Sequence, residues 1–283
     1  MIHHLIRGTI LTGFSLLILY LFHTGEISLY IAPRMELLVK LSALGLYAAA
    51  AYQFYAALQK RVHKHTADCG CSHHPSPSKF KNTVIYCLFL FPLLIGFIFP
   101  TGTLGSSLAA KKGVSFSGNE SITRKGVIEA SSSALVDELF PFDDYTIDHA
   151  KYGKILYEQS LIQVPEKQFI ETLTTLDLYR NAFIGKEIEI SGFVYREEDM
   201  GQDRLAVSRF AMNCCSADSL PYGLMIKWPQ ANEYGSDEWV SVTGKLTTSM
   251  YNENEIITID VTSITRIDAP ASPYVYPDLQ FGY

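Results

Sequence analysis

TVIYCLFLFPLLIGFIFP, residues 83–100, runs for eighteen positions without a charged side chain and gives way to TGTLGSS, residues 101–107. A helix needs roughly 20 mostly apolar residues to cross the ~30 Å hydrocarbon core of a bilayer, so this stretch reads as a membrane span. Pro92 inside it implies a kink, which lipid-buried helices tolerate where neighbours satisfy the freed carbonyl. What lies on either side differs sharply. Through Lys112 the chain holds 10 Lys+Arg against 3 Asp+Glu; from Gly113 onward the balance is 13 against 26. A basic, apolar amino-terminal half and an acidic carboxyl-terminal half belong in different solvents.

Working back from residue 83, two more stretches have the same character. LLVKLSALGLYAAAAYQFYAAL, residues 37–58, carries Lys40 near one end, where it can snorkel to the headgroups. GTILTGFSLLILYLF, residues 8–22, reaches span length with its flanks. A cleaved signal peptide is disfavoured because no small-x-small site follows Phe22, and the lack of charged faces argues against helices buried in a soluble core. Three spans are therefore expected, at about 7–24, 37–58 and 82–99, in a membrane domain of residues 1–100. Lys and Arg concentrate between the second and third: Lys60, Arg61, Lys64, Lys79 and Lys81. The bias puts that loop and the amino terminus in the cytoplasm and the carboxyl-terminal half outside the cell membrane; Lys111 and Lys112 argue the other way.

The loop at 59–81 contains HKHTADCGCSHHP, residues 63–75. His63, His65, Asp68, Cys69, Cys71, His73 and His74 offer imidazole, thiolate and carboxylate, which suit zinc, with copper, nickel or cobalt as alternatives. Glycine and prolines make it a tract that captures and passes on an ion rather than one that folds around it. A disulfide between Cys69 and Cys71 does not suit a reducing compartment.

Beyond residue 100 a linker with a short helix around 133–139 is expected over 101–153, then a soluble domain over 154–283. KILYEQSLIQV, residues 154–164, reads as a strand, and PEKQFIETLTTL as a helix with Phe169, Ile170, Leu173 and Leu176 on one face and proline in its first turn. Five β-rich runs follow: EIEISGFVYRE, RLAVSRFAM, YGLMIKW, WVSVTGKLTT and EIITIDVTSITRI. Gly192 and Gly244 interrupt the first and fourth, where barrel strands bend. The fold expected is an α-helical membrane domain plus a soluble α+β or all-β domain, a five-stranded OB-like barrel, with a sandwich as the alternative. Such barrels often take nucleic acid, but this acidic half would repel phosphates, so nucleic-acid binding is set aside.

The second chemical feature is RFAMNCCSAD, residues 209–218. In a regular strand Cys214 and Cys215 would point to opposite faces; if the chain turns, both thiols and Asp218 can converge on an ion. Packing alone, a second metal site and a thiol-redox pair all remain open there. Trp228 and Trp239 read as core or rim aromatics.

The order of these features, with PTGTLGSSLAAKKG after the last span, GFVYRE at 192–197 and RFAMNCCSAD, resembles the YcgQ family of bacterial membrane proteins over essentially the whole chain. The resemblance implies a cell-membrane location and a multi-span permease partner of the YcgR type. It brings no activity and no catalytic residues. No Ser/His/Asp arrangement, phosphate-binding glycine loop or dinucleotide fingerprint is visible, so enzymatic activity is not expected. The leading expectation is an accessory subunit of a transition-metal transport system. The alternatives are a structural or assembly factor whose barrel binds a protein or envelope component and, lower, a thiol-redox protein without C-x-x-C spacing. Three spans are few for a self-contained transporter, so a partner or a homo-oligomer is expected.

Overall fold

A computed structural model describes residues 2–62, 79–99, 102–114, 116, 138–197 and 200–282. The chain divides into two compact units, Met1–Gly102 and Thr103–Tyr283, each described by itself.

The first unit is three helices: α1 (Ile2–Thr24), α2 (Glu36–Val62) and α3 (Lys79–Ile98). Each is long and apolar enough to cross a membrane. They exceed the expected spans by a few residues at several ends, because polar flanks such as His3, His4 and Lys79 continue the helices. Pro33 opens a single 3₁₀ turn ahead of α2, and Glu36 in its first turn pairs with Lys40 at 3.3 Å, so the lysine finds a partner one turn away. Pro92 lies inside α3 without ending it. The helix α1 packs on both others, antiparallel to α2 through His4–Gln53 and Ser15–Ala43, and parallel to α3 through His3–Tyr86.

Small residues make that approach close. Ala43, Ala50 and Ala57, seven apart, are the buried face of α2. A Cβ at Gly13 would meet Leu93 Cδ2 at 2.5 Å, and one at Gly96 would meet Leu17 Cδ2 at 2.8 Å. Large side chains such as Leu44, Tyr52, Leu88 and Phe91 face outward. Small inside and large outside is the pattern of helices solvated by lipid, where association comes from close packing.

Among its described residues the second unit joins these strands and helices: α4 (Ser106–Lys112), α5 (Ile147–Glu158), β1 (Leu161–Gln163), α6 (Phe169–Leu178), α7 (Arg180–Phe183), β2 (Glu187–Tyr195), β3 (Arg204–Ala211), β4 (Leu220–Lys227), β5 (Trp239–Tyr251), β6 (Asn254–Arg266) and β7 (Tyr274–Val275). The five long strands match the five expected runs. β2 pairs antiparallel with β3 and β5, β3 with β4, β5 with β6, and β4 pairs parallel with β6. Following those pairings from β2 leads back to β2. Two short strands add to the expectation of five, β1 parallel to β2 and β7 parallel to β3, giving one mixed seven-stranded sheet.

Alternation explains the core. Ile188/Ile190, Leu205/Val207, Leu224/Ile226, Val240/Val242 and Ile257/Ile259 are i, i+2 pairs, so each strand sends one face inward, where all ten are buried together. Gly192 and Gly223 let β2, β3 and β4 approach: a Cβ at Gly192 would lie 2.5 Å from the Ser208 carbonyl oxygen, and one at Gly223 2.3 Å from that of Val207. The register of β5 on β6 shifts between Thr243 and Gly244, which bends the strand at the glycine noted above.

One expected element is wrong. Residues 154–164 are not a strand: helix α5 extends to Glu158, and only Leu161–Gln163 are extended. The buried residues of α5 are Ala150, Gly153 and Leu156, a spacing of three that the window from residue 154 cut through. The next helix starts at Phe169, so Pro165 precedes it rather than sitting in its first turn, while Phe169, Leu173 and Leu176 are buried as expected. The helix expected around 133–139 lies outside the described residues except for 138 and 139, which are helical.

Candidate metal centre

The tract His63, His65, Asp68, Cys69, Cys71, His73 and His74 lies outside the described residues; the structure gives its two supports, the end of α2 at Val62 and the start of α3 at Lys79. The second set is brought together. Cys214, Cys215 and Asp218 offer ligand atoms all within 4.8 Å of one another, the two cysteines half-buried.

The local chain explains why. Strand β3 ends at Ala211, the Met212 N–H still donates to the Val275 carbonyl at 2.9 Å, and the backbone then turns instead of running on as a strand. Asp218 shapes the turn: its carboxylate accepts the N–H groups of Asn213 (3.2 Å), Cys214 (2.7 Å) and Cys215 (3.4 Å), and its own N–H donates to the Cys215 carbonyl at 3.1 Å. Ser219, fully buried, donates to the Ser216 carbonyl at 2.7 Å before β4 begins at Leu220. Because the chain turns, the two thiols share one side, with their Sγ atoms 3.7 Å apart.

Electrostatics set the resting protonation. The hydrogen bond to the Asp218 carboxylate, and then the neighbouring Cys215, push the Cys214 thiol up to about 11. For Asp218, burial alone would raise its carboxyl, but the Cys214 thiol and the three backbone N–H donors outweigh it and hold the group below its ordinary value. The resting turn is thus a carboxylate accepting from a neutral thiol. Two thiolates on one tetrahedral zinc, each ~2.3 Å from the metal, lie about 3.8 Å apart. The observed spacing meets that, and the carboxylate supplies a third donor. A disulfide needs the sulfurs at about 2.05 Å, far inside the separation seen here.

Lys112, read from sequence only as a topology signal, belongs to this neighbourhood. Its Nζ donates to the carbonyls of Ala217 (3.1 Å) and Ser219 (2.6 Å), the two residues flanking Asp218. The long separation along the chain hid that contact. Trp239 lies against Phe193, with the buried Arg209 guanidinium 5.5 Å from its ring, and Trp228 packs against the core, as expected of core and rim aromatics. Elsewhere in this unit an open cleft of about 820 Å³ is lined by residues such as Tyr152, Gln163, Glu166 and Gln168; its lining holds neither thiol nor imidazole.

Comparison with known proteins also finds two parts, the first of which extends past Gly102 and takes in α4. A family model described as the DUF1980 N-terminal domain matches residues 6–115, and one described as the DUF1980 C-terminal domain matches residues 140–277. UPF0703 protein YcgQ of Bacillus subtilis is 30% identical over 285 residues, covering 95% of this chain and 98% of that protein. A protein of Streptococcus mutans, provisionally named a two-component membrane permease complex subunit, is 27% identical over 283 residues, covering 96% of this chain and 99% of its own. A small single-stranded DNA-binding protein from Streptomyces coelicolor aligns with 29% of this chain and 94% of its own at 17% identity and a TM-score of 0.18, a likeness too slight to carry an argument. The chain belongs to the YcgQ family, and it is a membrane protein.

Proposed function

We propose that this YcgQ-family chain is the non-catalytic accessory subunit of a membrane permease complex that handles a transition-metal ion, zinc foremost, with a YcgR-type multi-span permease as its partner. The observation that carries the reading is the convergence of Cys214, Cys215 and Asp218 at zinc-compatible spacing in a protein with three apolar helices. The Streptococcus mutans relative, named as a permease complex subunit over nearly the same length, supports the partner. In this reading the tract His63–His74 collects the ion at the cytoplasmic face, and the second unit stands outside the membrane with the thiol turn as a second station. Lys112 spends its charge on two carbonyls of its own unit, which weakens it as a sign of a cytoplasmic flank. The return of the strand pairings to β2, with β4 parallel to β6, supports a five-stranded OB-type barrel as the body of that unit.

Zinc binding by the full chain in detergent, measured by equilibrium dialysis, tests the reading. Replacing residues 63–74 by Gly/Ser should remove the tract's share, and adding Cys214→Ser and Cys215→Ser should remove the rest. Equal binding by all three proteins would overturn it.

One observation favours the assembly-factor reading instead: the Asp218 carboxylate is already satisfied by three N–H groups, as in a turn that only needs to fold. On that reading the double serine variant would retain complex formation and phenotype, while loss of residues 186–268 would abolish both.

A further inference from the structure

The helix α4 is a strap of seven residues with a single buried side chain, Ala109. So short a helix has little stability of its own, and side-chain contacts at its two ends decide whether it stays in place. At the amino end, Ser106 donates its N–H (2.5 Å) and its hydroxyl (2.8 Å) to the Asp237 carboxylate, and just before it the Leu104 N–H donates to Tyr274 Oη at 2.9 Å. At the carboxyl end, Lys112 grips the carbonyls of Ala217 and Ser219. Those carbonyls bracket Asp218, so the strap's second anchor is the thiol turn itself. In sequence the strap follows directly on the last apolar helix: α3 ends at Ile98 and α4 begins at Ser106.

We infer that Lys112 positions the Cys214–Cys215–Asp218 turn for a zinc-class ion and, reciprocally, that an ion bound there locks the strap α4 onto the second unit. The inference rests on the metal reading above. The lever is order. The sulfurs already stand at the spacing of a tetrahedral site, so binding requires the turn to be held rather than remade. Lys112 supplies part of that holding by fixing the residues on both sides of the carboxylate. An ion that fixes the same residues leaves the grip of Lys112 with less ordering to supply, so the two events favour each other. Linkage requires the factor to be equal in both directions.

The experiment is hydrogen–deuterium exchange of residues 103–113 in the full-length protein in detergent, with and without zinc ion, alongside zinc affinity by dialysis. Zinc should slow exchange of α4 roughly 5- to 10-fold in the wild type, and not in the Cys214→Ser, Cys215→Ser variant. Lys112→Gln should speed α4 exchange without zinc and weaken zinc at the turn by a similar factor. Lys112→Arg, which can still donate to two carbonyls, should recover most of both, and Lys111→Gln, the same charge change one residue away, should move neither. Zinc bound at the turn with α4 exchange unchanged, or with Lys112→Gln affinity equal to wild type, overturns the coupling alone. Absence of any binding lost with Cys214 and Cys215 overturns the metal reading and the coupling together.

Discussion

The two units use the same residues in opposite ways. In the helical unit Leu44, Leu88 and Phe91 face outward while alanines and glycines meet inside; in the sheet unit Leu205, Leu224 and Phe210 are buried. Water rewards burial of large apolar side chains at about 25 cal/mol per Å². Lipid gives no such reward, so helices in it gain by letting backbones approach across small residues and by satisfying polar groups internally. Ser15 illustrates this: its hydroxyl, buried in the helical unit, donates to the Ala43 carbonyl at 2.9 Å. The inversion of inside and outside between the two units is the pattern expected when one is solvated by lipid and the other by water.

Five substitutions, one of them a control, sharpen the contrast. Gly223→Val should have the largest effect, because its Cβ meets backbone, the Val207 carbonyl oxygen at 2.3 Å, in a water-solvated sheet that cannot open. A loss of roughly 3 kcal/mol or more is expected. Thermal unfolding followed by tryptophan fluorescence reads this unit alone, since both tryptophans, Trp228 and Trp239, lie within it. Gly13→Val should cost less, about 1–2 kcal/mol, because its nearest neighbour is the movable end of Leu93; unfolding in mixed micelles is the measurement. Gly45→Val, where a Cβ meets nothing within 4 Å, is the matched control and should leave the helices unchanged.

Glu171→Gln tests a buried charge in the sheet unit. Burial raises the Glu171 carboxyl above its ordinary value, against the lowering effect of the Asp278 N–H that it accepts at 2.8 Å, and its second oxygen is buried with no partner. A raised folded-state value means that protonation favours folding. The wild type therefore has its full share of this stability below the ordinary glutamate range and loses it as pH rises through the higher folded value. The glutamine variant should be more stable at neutral pH, on the order of 1 kcal/mol, with the gain vanishing toward pH 4. An unchanged pH profile would contradict the assignment. Smallest of the expected losses, Ser15→Ala should lower helical-unit stability by about 0.6 kcal/mol, the typical worth of a hydrogen bond between membrane helices.

How far the sequence could be read depended on the range of the forces involved. Continuous apolarity and alternation are local, so the three helices and the five long strands could be read from single windows. The mistaken strand at 154–164 arose where a helix and a three-residue strand adjoin, since Leu156 fits either period until the buried Ala150 and Gly153 are seen on the same face. The thiol turn was half legible. Residue types proposed a site at Cys214, Cys215 and Asp218, but only the turn after Ala211, shaped by Asp218 accepting three N–H groups, decides that the sulfurs share a side. Lys112 was invisible in this role because its acceptors lie 105 and 107 residues away.

The most direct test of the central claim is zinc-edge X-ray absorption on the full-length protein purified from zinc-replete cells, with residues 63–74 replaced by Gly/Ser so that the tract cannot contribute. Bound zinc is expected with two sulfur ligands at about 2.3 Å and the remaining ligands oxygen or nitrogen near 2.0–2.2 Å, all lost in the Cys214→Ser, Cys215→Ser variant. Zinc absent from the purified protein, or present with a shell of oxygen and nitrogen alone, would contradict it.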